Sequence, residues 1–149
     1  MESDVVTHFG LQAHYPRVMV VGSSMGGTAA LMHAGLGDRV LSFGPRVDLE
    51  RTHGSYVPEL ARRACAGAVR ASLVCARARG AHVGLHVGSD NLEDVLQAER
   101  VAGGDGGVGI GAVEVVKHDT FHHNVPMFLE REGLLVPLFK RELVALMLA

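Results

Sequence analysis

The chain has 149 residues, of which 48% are hydrophobic and 20% are charged, and its formal net charge is −2. This length and composition are typical of one globular domain with its own core, so residues 1–149 are treated as a single domain. The charge gives no basic surface for nucleic acid, and no apolar run approaches the roughly 20 residues that span a bilayer. We therefore expect neither a nucleic-acid partner nor a membrane span.

Two features bear on the compartment. The first ten residues, MESDVVTHFG, lack the basic start and apolar middle of a signal peptide. The two cysteines, Cys65 and Cys75, fit no metal-binding spacing and are interpreted as small core residues in a reducing environment. Cytoplasmic localisation is the expectation.

Short, almost wholly apolar segments alternate with helix-forming segments along the chain. Such strands, linked by helices, predict a parallel sheet covered on both faces. The predicted fold class is α/β, with a small parallel sheet of about four strands and helices on both faces. The predicted strands are 17–22, 39–43, 81–87 and 112–117, and the predicted helices are 25 to about 34, 56 to about 79, 92–102, and 126 to about 147 with interruptions at Gly133 and Pro137.

A glycine-rich corner joins the first predicted strand to the first predicted helix. Its residues Gly22-Ser23-Ser24-Met25-Gly26 satisfy the pattern G-x-S-x-G. A serine presented on such a sharp turn needs small neighbours, so a side chain two residues before or after Ser24 is expected to clash. The helix that follows directs free N–H groups at the site, and the backbone N–H of Met25 is the expected oxyanion donor.

The glycines of this chain allow other interpretations. The corner alone is equally consistent with a tight strand-to-helix turn that has no chemistry. A dinucleotide-binding turn is disfavoured, because G-x-G-x-x-G is absent here and no acidic residue ends the next strand. The tract GGDGGVGIG, residues 103–111, precedes a strand instead of linking a strand to a helix, so it predicts a flexible loop and not a phosphate cradle.

The corner resembles the nucleophile elbow of the α/β-hydrolase superfamily, whose members often read G-x-S-M-G-G followed by small and apolar helix residues. The resemblance implies a truncated α/β-hydrolase-like fold and the chain order serine, acid, histidine. The acid belongs after the third predicted strand, where Asp90 and Asp94 are the two candidates. Asp94 has a competing interpretation as a residue that opens the next helix, and either aspartate alone is equally consistent with a surface role.

The triad histidine belongs after the fourth predicted strand, and His123 is the first choice there. The run HNVPMFLEREGLL resembles hydrolase-like proteins near bacterial polysaccharide genes, as does the F-x-P-x-x-x-L segment at residues 43–49. A zinc site of His118, His122 and His123 is the alternative. It would need a helix through residues 119–121, which are not strong helix formers, so no metal and no cofactor are expected.

The resemblance begins only at the elbow strand, before which about 16 residues remain. Full-length members have several earlier strands, and a loop after one of them supplies a second oxyanion N–H. Without it the transition state loses about 3 kcal/mol, and the first strand becomes an exposed edge. A fragment, a degenerate relative, and a protomer that pairs this edge in a homo-oligomer are the three interpretations of this shortness.

The sequence thus predicts a serine hydrolase-like protein that performs acyl-ester hydrolysis or acyl transfer on a small-molecule acyl or sugar-ester substrate. Ser24 would be the nucleophile, His123 the base and then the acid, and Asp90 or Asp94 the residue that orients the histidine. The alternative is a non-catalytic α/β-hydrolase remnant that acts as a binding or interaction module. A metal-binding or nucleotide-binding α/β protein is the third interpretation.

Overall fold

The structure is a computed structural model that describes residues 15–49, 57–103 and 113–148. The glycine tract lies almost wholly outside the described residues. In chain order the elements are β1 (Met19–Ser23), α1 (Met25–Met32), a 3₁₀ turn (Ala34–Leu36), β2 (Arg39–Phe43), α2 (Glu59–Ala78), β3 (His82–Gly88), α3 (Leu92–Ala102), β4 (Val113–His118), α4 (Val125–Arg131) and α5 (Leu135–Leu148).

The four strands form one parallel sheet in the order β1-β2-β3-β4. Within it Gly22 pairs with Ser42, and Gly88 pairs with His118. A helix follows each strand, as the crossovers of a parallel sheet require, and the strand order shows that the chain advances by one strand at every crossover. The predicted α/β class with a four-stranded parallel sheet is confirmed.

Helices cover both faces of the sheet, because residues on alternate strand positions point to opposite sides. On one face, valines and leucines of β2 and β3 pack with buried residues of α1, α2 and α3. On the other face, Leu41 and Phe43 pack with Val125 and Leu129 of α4 and with Leu138 of α5. Each face thus has its own apolar cluster, and the helices hold the strand ends in fixed positions.

The C-terminal segment departs from its predicted interruptions. The chain does break after α4, and Gly133 there adopts a positive φ of 69°, a conformation that glycine tolerates best. Pro137, however, does not interrupt a helix, since α5 begins at Leu135 and includes it. A proline in the first turn costs little, because the N–H groups there have no acceptor within the helix.

The fold brings four loops to one edge of the sheet. Parallel strands all end at the same edge, so the residues that follow them in sequence become neighbours in space. Ser24 follows β1, residues 44–48 follow β2, residues 89–91 lead from β3 into α3, and residues 119–124 follow β4. Among the described residues, no helix is both long enough and apolar enough to cross a membrane.

Candidate active site

Ser24 has an unusual backbone conformation for an L-amino acid. It lies between β1 and α1 with φ 56° and ψ −122°, and it is the one non-glycine residue with positive φ among those that the structure describes. Such a conformation costs on the order of 1–3 kcal/mol and persists only where the surroundings enforce it. Here the Ser24 N–H donates to the carbonyl of Phe43 at 2.8 Å, which ties the corner to the end of β2.

The glycines around Ser24 are not equivalent. A Cβ at Gly22 would lie 1.9 Å from the carbonyl oxygen of Gly26, and one at Gly27 would lie 2.9 Å from the carbonyl oxygen of Phe43. A Cβ at Gly26 would meet nothing within 4 Å. The predicted clash at Gly22, two residues before Ser24, is therefore confirmed. The predicted clash at Gly26, two residues after Ser24, is wrong. The close approach involves the Gly26 carbonyl, and the second restricted position is Gly27.

Three of the predicted residues form one hydrogen-bonded chain. The Oγ of Ser24 lies 2.9 Å from Nε2 of His123. Nδ1 of the same imidazole lies 2.8 Å from Oδ2 of Asp94 and 3.0 Å from its Oδ1. With a proton on Nδ1, His123 donates to Asp94 and accepts from the Ser24 hydroxyl, which is the arrangement in which an imidazole can act as a base toward a serine.

The two aspartates occupy different surroundings. Asp94 lies in the first turn of α3, where the helix N-terminus favours a negative charge, and its side chain is 0% exposed. Asn91 caps that helix by accepting from the Asp94 N–H at 3.2 Å. Asp90 is exposed, and its carboxylate accepts from the Ser89 hydroxyl at 3.2 Å. The structure thus brings Asp94 to His123 and leaves Asp90 at the surface.

The loop that carries His123 packs closely against the end of β2. Gly44 has φ 51°, and a Cβ there would lie 3.0 Å from Cε1 and 3.1 Å from Nδ1 of His123. Asn124, the next residue, caps α4 by accepting from the Met127 N–H at 3.3 Å. A glycine at a strand end was the available sequence signal for this close approach, but only the packing identifies its neighbour.

Arg46 is a member of the site that the sequence analysis missed. Its Nη2 lies 3.3 Å from Oδ1 of Asp94 and 3.3 Å from Nδ1 of His123. Its Nη1 lies 2.9 Å from Oε1 of Glu93 as an ion pair, without the alignment of a hydrogen bond. Its backbone N–H donates to Oγ1 of Thr28 at 2.8 Å. Arg46 thus joins α1, α3 and the histidine loop.

Met25 begins α1 directly after Ser24. The first N–H groups of a helix have no acceptor within it, so the Met25 N–H is suited to bind an oxygen that develops negative charge beside Ser24. The Met25 side chain itself is exposed.

The other histidines of the zinc alternative have different neighbours. His118 contacts His86, with Nε2 to Nδ1 at 3.0 Å, while His122 packs against the ring of Phe121. Residues 119–121 are not helical. Within the described ranges, no group of three or more histidine, cysteine, aspartate or glutamate residues is arranged to hold a metal ion.

The His86–His118 pair lies on the sheet face that carries α5. The pKa of His86 is lowered to about 4, mainly by burial and then by His118, with Arg141 and His82 adding to the effect and Glu142 opposing it. Burial and then Arg141 lower the pKa of His118 as well. Both rings are therefore neutral near pH 7, which suits a hydrogen bond between two imidazoles.

Comparisons with known proteins add no assignment. No protein-family model matches the chain, and neither a curated protein nor a solved structure matches it.

Proposed function

We propose that this protein is a serine hydrolase of the α/β-hydrolase type that acts on acyl esters or transfers their acyl groups. The observation that carries the proposal is the chain from Ser24 Oγ through His123 to the buried carboxylate of Asp94, with contacts of 2.9 Å and 2.8 Å. The positive φ of Ser24 and the chain order serine, acid, histidine after β1, β3 and β4 of the parallel sheet support it.

In the proposed reaction, Ser24 Oγ attacks the acyl carbon while its proton moves to Nε2 of His123. The carbonyl oxygen becomes an oxyanion and accepts the N–H of Met25. The bond to the leaving alcohol then breaks as His123 returns the proton to the leaving oxygen. Asp94 holds the imidazole in the correct tautomer and stabilises the imidazolium.

The second half returns the enzyme to its starting state. A water molecule, or a second alcohol in acyl transfer, attacks the acyl-serine while His123 removes its proton. Collapse of this second intermediate releases the acid or the new ester, and Ser24 recovers its proton from His123. No cofactor takes part in this sequence, and a small acyl or sugar ester is the proposed substrate class.

The test is reaction of the purified protein with a fluorophosphonate, which forms a bond to an activated serine oxygen with loss of fluoride. We expect modification at Ser24, identified by peptide mapping, and its loss in Ser24→Ala and His123→Ala. Ser23→Ala is the matched control, because Ser23 is the exposed neighbour of Ser24 in the same corner. It should retain labelling.

The proposal would be overturned if a folded sample showed no labelling at every pH tested between 6 and 9. Labelling that is spread over several surface serines and survives His123→Ala would do the same. Either result would favour the non-catalytic binding module, in which the corner only shapes the fold.

A further inference from the structure

Arg46 lies between two carboxylates and an imidazole. The distances from its Nη2 to Asp94 Oδ1 and to His123 Nδ1 are both 3.3 Å, and its Nη1 lies 2.9 Å from Glu93 Oε1. Its side chain is only 14% exposed, whereas that of Glu93 is 49% exposed. The guanidinium is therefore partly removed from water at the centre of the proposed triad, and its ion partner Glu93 faces solvent.

A cation in this position has two physical consequences. The carboxylate of Asp94 is fully buried and needs more than one polar partner to remain charged, and Arg46 supplies one beside His123. The same cation repels the imidazolium that forms when His123 accepts the serine proton. Glu93 offsets that repulsion, since it partly neutralises the guanidinium.

Other charged and titratable side chains lie on the described elements around the imidazole of His123. On α3 they are Glu93 and Asp94. On the loop after β2, Asp48 forms an ion pair with Arg100 and Arg46 faces the site. On the loop of His123 itself, Asp119 is exposed and His122 is partly buried, and Asp90, in the loop before α3, is exposed. Arg46 contacts Asp94 and His123, and Glu93 contacts Arg46, so these two charges can be removed without removing a member of the proposed triad.

We propose that Arg46 is a positioning residue that orients the Asp94 carboxylate, and that the Arg46–Glu93 pair sets the lower pH limit at which Ser24 is activated. This inference rests on the proposed function. A purely structural ion pair would contribute to folding but would leave the pH range of the reaction unchanged, and this difference makes the inference testable.

The experiment measures the rate of fluorophosphonate labelling of Ser24 against pH in the full chain and in four variants. In Arg46→Gln the acid limb of the profile should move up by about one pH unit, because the imidazolium loses a repelling charge. In Glu93→Gln it should move down by a smaller amount, because an exposed charge is screened. The double variant should lie between them.

The fourth variant separates charge from geometry. Arg46→Lys keeps the cation, so the acid limb should stay near its wild-type pH. Its plateau rate should fall about tenfold, because an ammonium group cannot contact both Asp94 and Glu93 as the planar guanidinium does. Thermal unfolding of each variant shows whether it is folded. If Arg46→Gln does not fold, the single variants Arg46→Lys and Glu93→Gln are compared with the wild type.

A second measurement follows the ring titration of His123 by proton–nitrogen NMR, with the signal assigned by its loss in His123→Gln. Opposite displacements in Arg46→Gln and Glu93→Gln support the control of His123 by this pair. If they occur while Ser24 is not labelled, the proposed function fails and only the effect of the pair on His123 stands. Labelling with unmoved profiles and an unmoved ring titration overturns the inference and leaves the proposed function standing.

Discussion

His123 and His86 each direct Nδ1 at a neighbouring side chain, but the two neighbours differ in charge. At the carboxyl edge of the sheet, His123 lies 2.8 Å from the carboxylate of Asp94. On the sheet face below α5, His86 lies 3.0 Å from another imidazole, that of His118, and stacks on Phe43.

The difference decides what each ring can do. A carboxylate stabilises an imidazolium, so the proposed base can accept a proton without leaving an unpaired charge. Burial has the opposite effect on His86, and the imidazole partner and Arg141 add to it. The pair below α5 is therefore a neutral, structural contact, and the pair at the sheet edge is suited to proton transfer.

The largest effect is expected from removing the negative charge beside His123. Asp94→Asn should lower the labelling rate of Ser24 by about 10⁴-fold, because the amide stabilises neither the imidazolium nor the required tautomer. Asp90→Asn is the matched control and should change the rate less than twofold. Equal losses in both variants, measured at the same pH, would contradict the assignment of Asp94.

The geometry of the corner can be tested apart from its charges. Gly22→Ala should destabilise the protein by about 3 kcal/mol or more, because its Cβ would lie 1.9 Å from a backbone oxygen. Gly26→Ala should be neutral or stabilising by about 0.5–1 kcal/mol, since the site is open and alanine favours a helix. Chemical denaturation measures both.

A destabilised Gly26→Ala protein would show that the glycine is needed for a reason other than space. If the labelling rate also fell while stability was kept, the side chain at this position would instead obstruct the approach of the probe to Ser24.

The histidine pair predicts how stability depends on pH. The folded-state pKa of His86 is lowered from 6.5 to about 4. Between these pH values the unfolded chain binds a proton that the folded protein does not, so the free energy of unfolding is highest above pH 6.5 and decreases as the pH falls toward 4. The full decrease is up to about 3 kcal/mol. Denaturant unfolding between pH 7 and pH 5 measures the slope, and His86→Gln should reduce it.

His33→Gln is the control for this slope, because it removes an exposed histidine and leaves the pair intact. A free energy of unfolding that is constant from pH 7 to pH 5 would contradict the account of a buried neutral pair.

The parallel sheet could be predicted because its signals are local. Apolar runs such as 39–43 mark strands, and α3 begins and ends where its helix-forming residues do. The corner at Ser24 has an equally local signal, since G-x-S-x-G depends on the residues next to one another. His123 is predicted from its position after the fourth strand and from the run HNVPMFLEREGLL that it begins, and the structure brings it to Ser24.

The choice of aspartate and the contacts of Arg46 depend instead on how segments that are far apart in the chain pack together. Asp90 and Asp94 are four residues apart, and only the docking of α3 determines which carboxylate is buried beside the imidazole. The resemblance of residues 43–49 includes Arg46 but does not indicate that its guanidinium contacts Asp94 and His123. The restriction at Gly27 depends on the path of β2, whose Phe43 carbonyl lies beside it.

The class of fold, the order of its elements and the sharp turn at Ser24 can therefore be predicted from the chain alone, because they follow from short-range patterns of side-chain size and polarity. Three contacts required the folded structure: the one between Asp94 and His123, the opposing charges of Arg46 and Glu93 beside it, and the one between His86 and His118. Those contacts join residues far apart in the chain, and their distances are set by the packing of helices on the two faces of the sheet.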